Sequence, residues 1–317
     1  MRYRQLGSSG LTVSVVGVGC NNFGWRIDVP AVEEVVSAAL DAGINLFDTA
    51  AMYGQPAGAS EELLGRALRS RRDEAVVATK FGANFPGLAS PGRDPGGSRR
   101  HIRRAVEESL RRLGTDRIDL YQLHVPDPDT PIDETLSTLD DLVREGKVRY
   151  VGCSNSAAWQ VADADWTARR HGWARFISAQ NQYSLLERDA EEELVPACLH
   201  FGLGLLPFFP LASGLLTGKY HRDTPAPEGS RMAGDRWAQR LAEADWDLIE
   251  ALEEFAHKRG ITLLDVAIGG LAARPAVTSV IAGATSAEQI RANVAAGAWV
   301  PSPEDMSGLD EILASAS

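Results

Sequence analysis

Eight short apolar runs, each followed by a stretch with helical spacing, restrict this chain to an α/β architecture. The runs fall at 13–18, 45–48, 75–79, 119–124, 148–154, 176–180, 204–208 and 279–281. Most are apolar at consecutive positions, the pattern of parallel strands covered on both faces. Eight such units predict an α/β fold of the (β/α)8 TIM-barrel type. An open doubly wound sheet is the rival. Against it, Gly17-Val18-Gly19 lacks the third glycine of a dinucleotide fingerprint, and no helix starts directly behind it.

The punctuation between runs supports this reading. A short amphipathic start suits an N-terminal β-hairpin. Pro30 fits the first turn of a helix that Gly43 follows, and Thr130-Pro131 opens one that ends before Gly146. Ser60, Ser98 and Ser156 stand where N-caps belong, and Ser286 with Gln289 has capping-box spacing. Arg103, Glu107 and Arg111 lie four apart, which predicts a salt-bridged, solvated helix face rather than a phosphate site. Trp159, Trp166 and Trp173 recur every seven residues, which reads as packing. No linker divides the chain, so residues 1–317 read as a single domain. Two long loops, at 82–97 and 221–235, would follow strands at the barrel's C-terminal face, where such loops are usually functional.

At that same face, polar residues end apolar strands. Asp48 closes 44–48 with Tyr53 in the next loop, Lys80 closes 75–80, and His124 closes 119–124. In a barrel these ends share one rim. A lysine beside a tyrosine favours the phenolate and lowers the phenol from about 10 toward working pH. An aspartate keeps the lysine charged, and a histidine can orient a substrate carbonyl. Together they suit hydride attack on a C=O with Tyr53 as general acid, or the reverse with an alcohol. Metal is not required: no His-x-x-x-His or Cys-x-x-Cys occurs, and Asp48 with His124 makes a poor zinc shell.

Charge narrows the partners. A net −11 and pI near 5.1 argue against nucleic acid, whose phosphates attract basic faces. Three scattered cysteines, Cys20, Cys153 and Cys198, fit a reducing compartment. The start, Met1 to Gln5, is too polar for a signal peptide, and the apolar stretch 201–216 is broken by glycines and prolines. A cytoplasmic protein without a membrane span is the expectation, and a homo-oligomer is compatible with it.

Several longer motifs, in order, carry a family likeness. They are Gly43-Ile44-Asn45-Leu46-Phe47-Asp48-Thr49-Ala50 with Tyr53-Gly54, Thr79-Lys80-Phe81-Gly82, Asp116-Arg117-Ile118-Asp119-Leu120-Tyr121 on to His124, and Gly146-Lys147-Val148-Arg149-Tyr150-Val151-Gly152. From Leu6 to about Trp299 the chain resembles the aldo-keto reductase family. Its pattern is closest to the branch of bacterial aryl-alcohol dehydrogenase-like proteins and potassium-channel β subunits. The resemblance implies an NAD(P)H-dependent oxidoreductase on a TIM barrel, with Tyr53 as acid/base, Lys80 and Asp48 tuning it, and His124 orienting the carbonyl.

The resemblance also implies a cofactor set. Cys20, Asn21 and Arg26 match a loop bordering the dinucleotide, near Asp48. Ser154, Asn155 and Gln180 match the positions that bond the nicotinamide carboxamide. The run 208–219 resembles the segment wrapping nicotinamide and pyrophosphate, with Phe208, Phe209, Leu211, Ser213, Gly214 and Lys219 on it. Gly283, Thr285, Gln289 and Asn293 match the adenosine end. Two positions depart from the pattern. Phe208-Phe209 stand where many relatives have Tyr-Ser or Trp-Ser, and Thr285-Ser286 stand where relatives often grip the 2′-phosphate with Arg or Lys. Arg231 matches another position that supplies an arginine to that phosphate, so NADP(H) is favoured and NAD(H) is the alternative. Trp25, Phe85, Phe209 and Trp237 are candidates for an apolar substrate wall. The implied substrates are small carbonyls. Alternatives are an aldose 1-dehydrogenase working oxidatively on a sugar, and a cofactor-binding redox sensor or regulatory subunit.

Overall fold

The computed structural model describes residues 1–83, 94–233 and 235–315. The chain opens with an antiparallel hairpin of β1 (Tyr3–Gln5) and β2 (Thr12–Ser14). Eight parallel strands then follow: β3 (Val16–Gly19), β4 (Leu46–Asp48), β5 (Val76–Phe81), β6 (Ile118–Leu123), β7 (Val148–Ser154), β8 (Phe176–Gln180), β9 (Gly204–Leu205) and β10 (Val280–Gly283). Each pairs with the next from β3 to β9, and β10 lies on the free side of β3. The ring closes between β9 and the approach to β10. Thr278 N–H donates to Leu205 O at 2.9 Å and Ile281 N–H donates to Pro207 O at 3.0 Å. The expected barrel is therefore present, and so is the hairpin. The run at 13–18 divides between them, because Val13 turns into the floor while Val16 and Val18 enter the wall.

Strand alternation sorts the barrel into two cores. On β5 all six residues are buried, yet Val76 and Ala78 pack inside the barrel while Val77 and Phe81 face the helices. Leu46, Leu120, Leu206 and Ile281 join the interior group, and Leu6 and Val13 of the hairpin plug its lower end. The plug fits closely. Gly7 has φ +58°, and a Cβ there would lie 2.5 Å from Gly202 O, so only glycine passes under the barrel. Continuing up the same inward faces, the apolar residues give way to Asp48, Lys80, Gln122 and Gln180. Parallel strands put all these ends at one rim, which is how residues far apart in sequence meet.

The helices α1 (Val29–Asp41), α2 (Ala59–Leu68), α3 (Arg99–Leu113), α4 (Ile132–Arg144), α5 (Ala158–His171) and α6 (Leu194–Phe201) follow β3 to β8 in turn. Before the next barrel helix come α7 (Asp235–Ala242) and α8 (Trp246–Lys258). Then α9 (Leu263–Asp265) runs into a π-turn over Val266–Gly270, and α10 (Ala287–Ala296) and α11 (Pro303–Ser315) end the fold. No helix among the described residues is long and apolar enough to cross a membrane.

Capping only partly follows expectation. Ser98 and Ser286 are N-caps, and Pro30 lies in the first turn of α1, capped by Asp28. Ser60 instead sits inside α2, buried, with its hydroxyl on Thr49 and Cys20 O. Gly58 and Ala157 occupy the N-cap positions expected of Ser60 and Ser156, while Pro131 holds that of α4. The predicted capping box is half formed: Gln289 N–H reaches Ser286 Oγ, but Gln289 Oε1 accepts from Thr285 N–H at 2.8 Å. The face of α3 is salt-bridged as expected, but to its neighbours. Arg103 pairs with Glu145 and Asp141, and Glu107 with Lys147, because α4 and its outgoing loop lie within reach. Of the three tryptophans at seven-residue spacing only Trp173, just after α5, packs against the core; on α5 itself Trp159 is 67% exposed and Trp166 63%.

Candidate active site

Lys80 lies at the centre of the rim. Its Nζ donates to Asp48 Oδ2 at 2.6 Å and to Thr49 O at 3.0 Å. Gln180 Nε2 and Gln122 Nε2 donate to the other oxygen, Asp48 Oδ1, at 2.8 and 3.3 Å. A carboxylate only accepts, so both amides must turn their nitrogens toward it. Asp48 is thus held from three strands, and Gln122 is a participant that sequence reading missed. The visible signal was its place two residues before His124, on the inward face of β6.

Tyr53 and His124 stand over this pair. Lys80 Nζ is 5.2 Å from the centre of the Tyr53 ring, and the Tyr53 and His124 rings meet edge-to-face at 5.9 Å. Burial raises the Tyr53 phenol above its ordinary value. Lys80, by its charge and as a hydrogen-bond partner, pulls it back, Asp48 pushes it up, and the raising effects prevail. This corrects the expectation that Lys80 would carry the phenol toward neutral pH: enclosure outweighs the nearby cation. For Lys80, burial alone would favour the neutral amine, but Asp48, by its charge and its hydrogen bond, holds the ammonium above its usual range. His124 is pulled down to about 3 by burial and by Lys80, so its imidazole is neutral.

A cleft of about 550 Å³ runs from this group across the rim, within the usual range for small-molecule sites. Asp48, Tyr53 and His124 line its inner end with Ser154, Asn155 and Gln180. Asn21, Arg26, Phe208, Phe209, Leu211, Ser213, Gly214, Lys219, Arg231, Gly283, Thr285, Gln289 and Asn293 line the remainder. Two of the predicted catalytic and cofactor residues are not on its wall. Lys80 lies behind Asp48, only 1% exposed, and Cys20 is fully buried with its thiol directed to Val18 O and pushed well up by burial. Asn22 and Met52 line the wall without having been singled out. Of the residues expected to form an apolar substrate wall, Phe209 lines the cleft, Trp25 (half exposed) and Trp237 (6.0 Å from the Arg231 guanidinium) do not, and Phe85 falls outside the described residues.

Two properties mark the cleft. Asn155, Phe209 and Ser213 all have φ between 51° and 62°, a region non-glycine residues enter at a cost of about 1–3 kcal/mol. Such cost persists where surrounding structure enforces a function. Asn155 is held by donating to His124 O and Ser154 Oγ. Second, the cleft cations lack carboxylates. Arg26, Lys219 and Arg231 form no ion pair among the described residues, whereas Arg222, just outside, holds both Asp247 and Glu250. Arg231 leans on the Phe209 ring at 5.5 Å, and its Nε is buried without a hydrogen-bond partner. Burial and the charge of Arg26 lower its guanidinium from its ordinary value. Cations crowded together without counter-charge make an anion site.

A barrel with a polar tyrosine, lysine, aspartate and histidine set at its C-terminal rim is an enzyme architecture, and comparison defines which. The chain belongs to the aldo/keto reductase family, whose model matches residues 15–314. It is an oxidoreductase of a family that acts on small-molecule carbonyls with nicotinamide cofactors. It is 36% identical to versiconal hemiacetal acetate reductase of Aspergillus parasiticus, over 98% of this chain and 96% of that protein. It is also 36% identical to a probable voltage-gated potassium channel subunit beta of Oryza sativa subsp. japonica, over 99% and 97%. With L-glyceraldehyde 3-phosphate reductase of Escherichia coli O157:H7 it shares 34%, over 99% and 93%.

Proposed function

We propose that the protein is an NADP(H)-dependent reductase of aldehydes or ketones, with Tyr53 as the proton donor. The observation that carries this reading is the meeting of Tyr53, Lys80, Asp48 and His124 at the inner end of a cleft whose cations have no carboxylate partners among the described residues. The cleft suits a phosphorylated dinucleotide on its own chemistry. Arg26, Lys219 and Arg231 offer positive charge, and the Ser154, Asn155 and Gln180 group offers amides and a hydroxyl beside the tetrad. Asn22 Oδ1 and Arg231 Nε are buried polar atoms without a hydrogen-bond partner among the described residues. When bound, the dinucleotide supplies the hydride.

The residues divide the proton work. Tyr53 holds its proton tightly, so at neutral pH it meets a carbonyl oxygen as a donor. The neutral His124 cannot protonate the substrate but can direct a hydrogen bond at the same oxygen. As negative charge develops on the Tyr53 oxygen, the Lys80 ammonium stabilises it. Asp48, fixed through Gln122 and Gln180, keeps Lys80 charged and in place. The same groups run backward would oxidise an aldose, with the Tyr53 oxygen accepting the alcohol proton. Residues 1–317 would act as one domain, and three free buried thiols suit a reducing cytoplasm.

The identity with probable potassium channel subunits over 99% of the chain favours one further reading, a cofactor-bound sensor. A screen of aldehydes, ketones and aldoses with NADPH and NADH, or their oxidised forms, separates the readings by following absorbance of the reduced nicotinamide. Multiple turnovers of a carbonyl with NADPH support the reductase. Faster aldose oxidation supports the dehydrogenase, and bound NADPH consumed only very slowly by every carbonyl supports the sensor.

A further inference from the structure

The exposed face of α5 carries Trp159, Asp163, Trp166 and Arg170, all exposed. Steps of four, three and four residues place them in one stripe along the helix, with the two indoles about 10 Å apart along its axis. The neighbouring α6 extends the patch with Pro196 and Leu199, the latter 58% exposed, and the Phe201 ring meets Trp166 edge-to-face at 6.0 Å. Two indoles left to water on one helix call for a partner, because a buried tryptophan removes about 150–250 Å² of surface.

The charges on this face have a polarity. Acid lies toward the start of the helices, with Asp163 on α5 and Glu192 and Glu193 leading into α6, and base lies toward the end, with Arg170. Among the described residues, Asp163, Arg170, Glu192 and Glu193 form no ion pair, although Arg169 beside them is paired with Asp165. Unpaired opposite charges about one turn to either side of Trp166 are self-complementary only under antiparallel docking. A two-fold axis does this. Trp166 lies midway between Asp163 and Arg170, so an axis beside it sets Arg170 of each copy against Asp163 of the other and brings the two Trp166 rings together.

We propose that this α5–α6 face is the interface of a two-fold homodimer, with Trp166 at its centre, Trp159 and Leu199 as flanking apolar contacts, and Asp163 and Arg170 fixing the antiparallel register. Two tryptophans, a leucine and a proline supply a large part of the ~800 Å² per partner that a stable dimer needs. The charges flank Trp166 and set orientation more than strength.

Sedimentation of the full chain at micromolar concentration tests this. The wild type is expected at twice 34.1 kDa. Trp159→Ser with Trp166→Ser is expected to reach the monomer mass with carbonyl turnover unchanged, since neither residue lines the cleft. Arg170→Glu alone and Asp163→Lys alone should each raise the dimer Kd by about tenfold. An equimolar mixture of those two variants should dimerise as the wild type does, because each then meets its opposite charge. A wild-type monomer overturns the proposal and leaves the face to some other partner. A tryptophan double variant that stays dimeric overturns the interface, and a mixture no tighter than its components overturns the two-fold register.

Discussion

Lys80 Nζ lies 2.6 Å from Asp48 Oδ2, with the lysine side chain wholly enclosed and the aspartate 4% exposed. An ion pair so placed differs in kind from the many on the helix faces. Surface pairs contribute about 0–1 kcal/mol, whereas removing one partner of a buried pair strands a charge.

Lys80→Met should therefore destabilise the fold by about 3–5 kcal/mol, because Asp48 would remain charged against Gln122 and Gln180 alone. Combining it with Asp48→Leu should recover much of that loss. Urea unfolding of the two single variants and the double gives the coupling; strictly additive losses would argue against a mutually dependent pair.

His124 gives stability a pH dependence with a definite sign. Its unfolded value is about 6.5 and its folded value about 3. Between these, the unfolded chain takes up a proton that the folded chain refuses, so stability present above the unfolded value is lost as pH falls through this window. His124→Gln should flatten the decline. Denaturation curves at several pH values would contradict this if the slopes of variant and wild type coincide.

Catalytic pH dependence follows from Tyr53. In the proposed mechanism reduction needs the protonated phenol, and burial raises the Tyr53 phenol above its ordinary value of about 10. The reduction rate should hold level through neutral pH and decline only on the alkaline side. A limb near pH 6–7 in kcat would assign the proton to another group.

Arg231→Ala should weaken NADPH by about 10–100-fold, the loss of a charge-assisted hydrogen bond of about 1.5–3 kcal/mol, while NADH loses little. Affinities from fluorescence quenching decide it. Equal losses for both cofactors would remove Arg231 from contact with the extra phosphate.

Much of this was legible in the chain because it rests on periodicity. Eight apolar runs specify a barrel, and inward alternation carries Asp48, Lys80 and His124 to one rim wherever the exact strand ends fall. What escaped depends on three-dimensional surroundings. The direction of the Tyr53 shift is set by enclosure, which no local motif encodes. Gln122 looked like a strand residue until Asp48 was found to accept from it. Cys20 shares a loop with Asn21 but turns into the core, a difference of side-chain direction over one residue. The tryptophans of α5 have packing spacing, yet spacing cannot say whether the helix face they occupy is turned inward or outward.

The most direct test of Tyr53 as the proton donor is Tyr53→Phe, with NADPH affinity and carbonyl turnover measured on the same preparation. Loss of the hydroxyl should lower kcat by about 10²–10⁴-fold and leave NADPH affinity within about twofold of wild type. Turnover near that of the wild type, with the cofactor bound normally, would show that the proton comes from elsewhere.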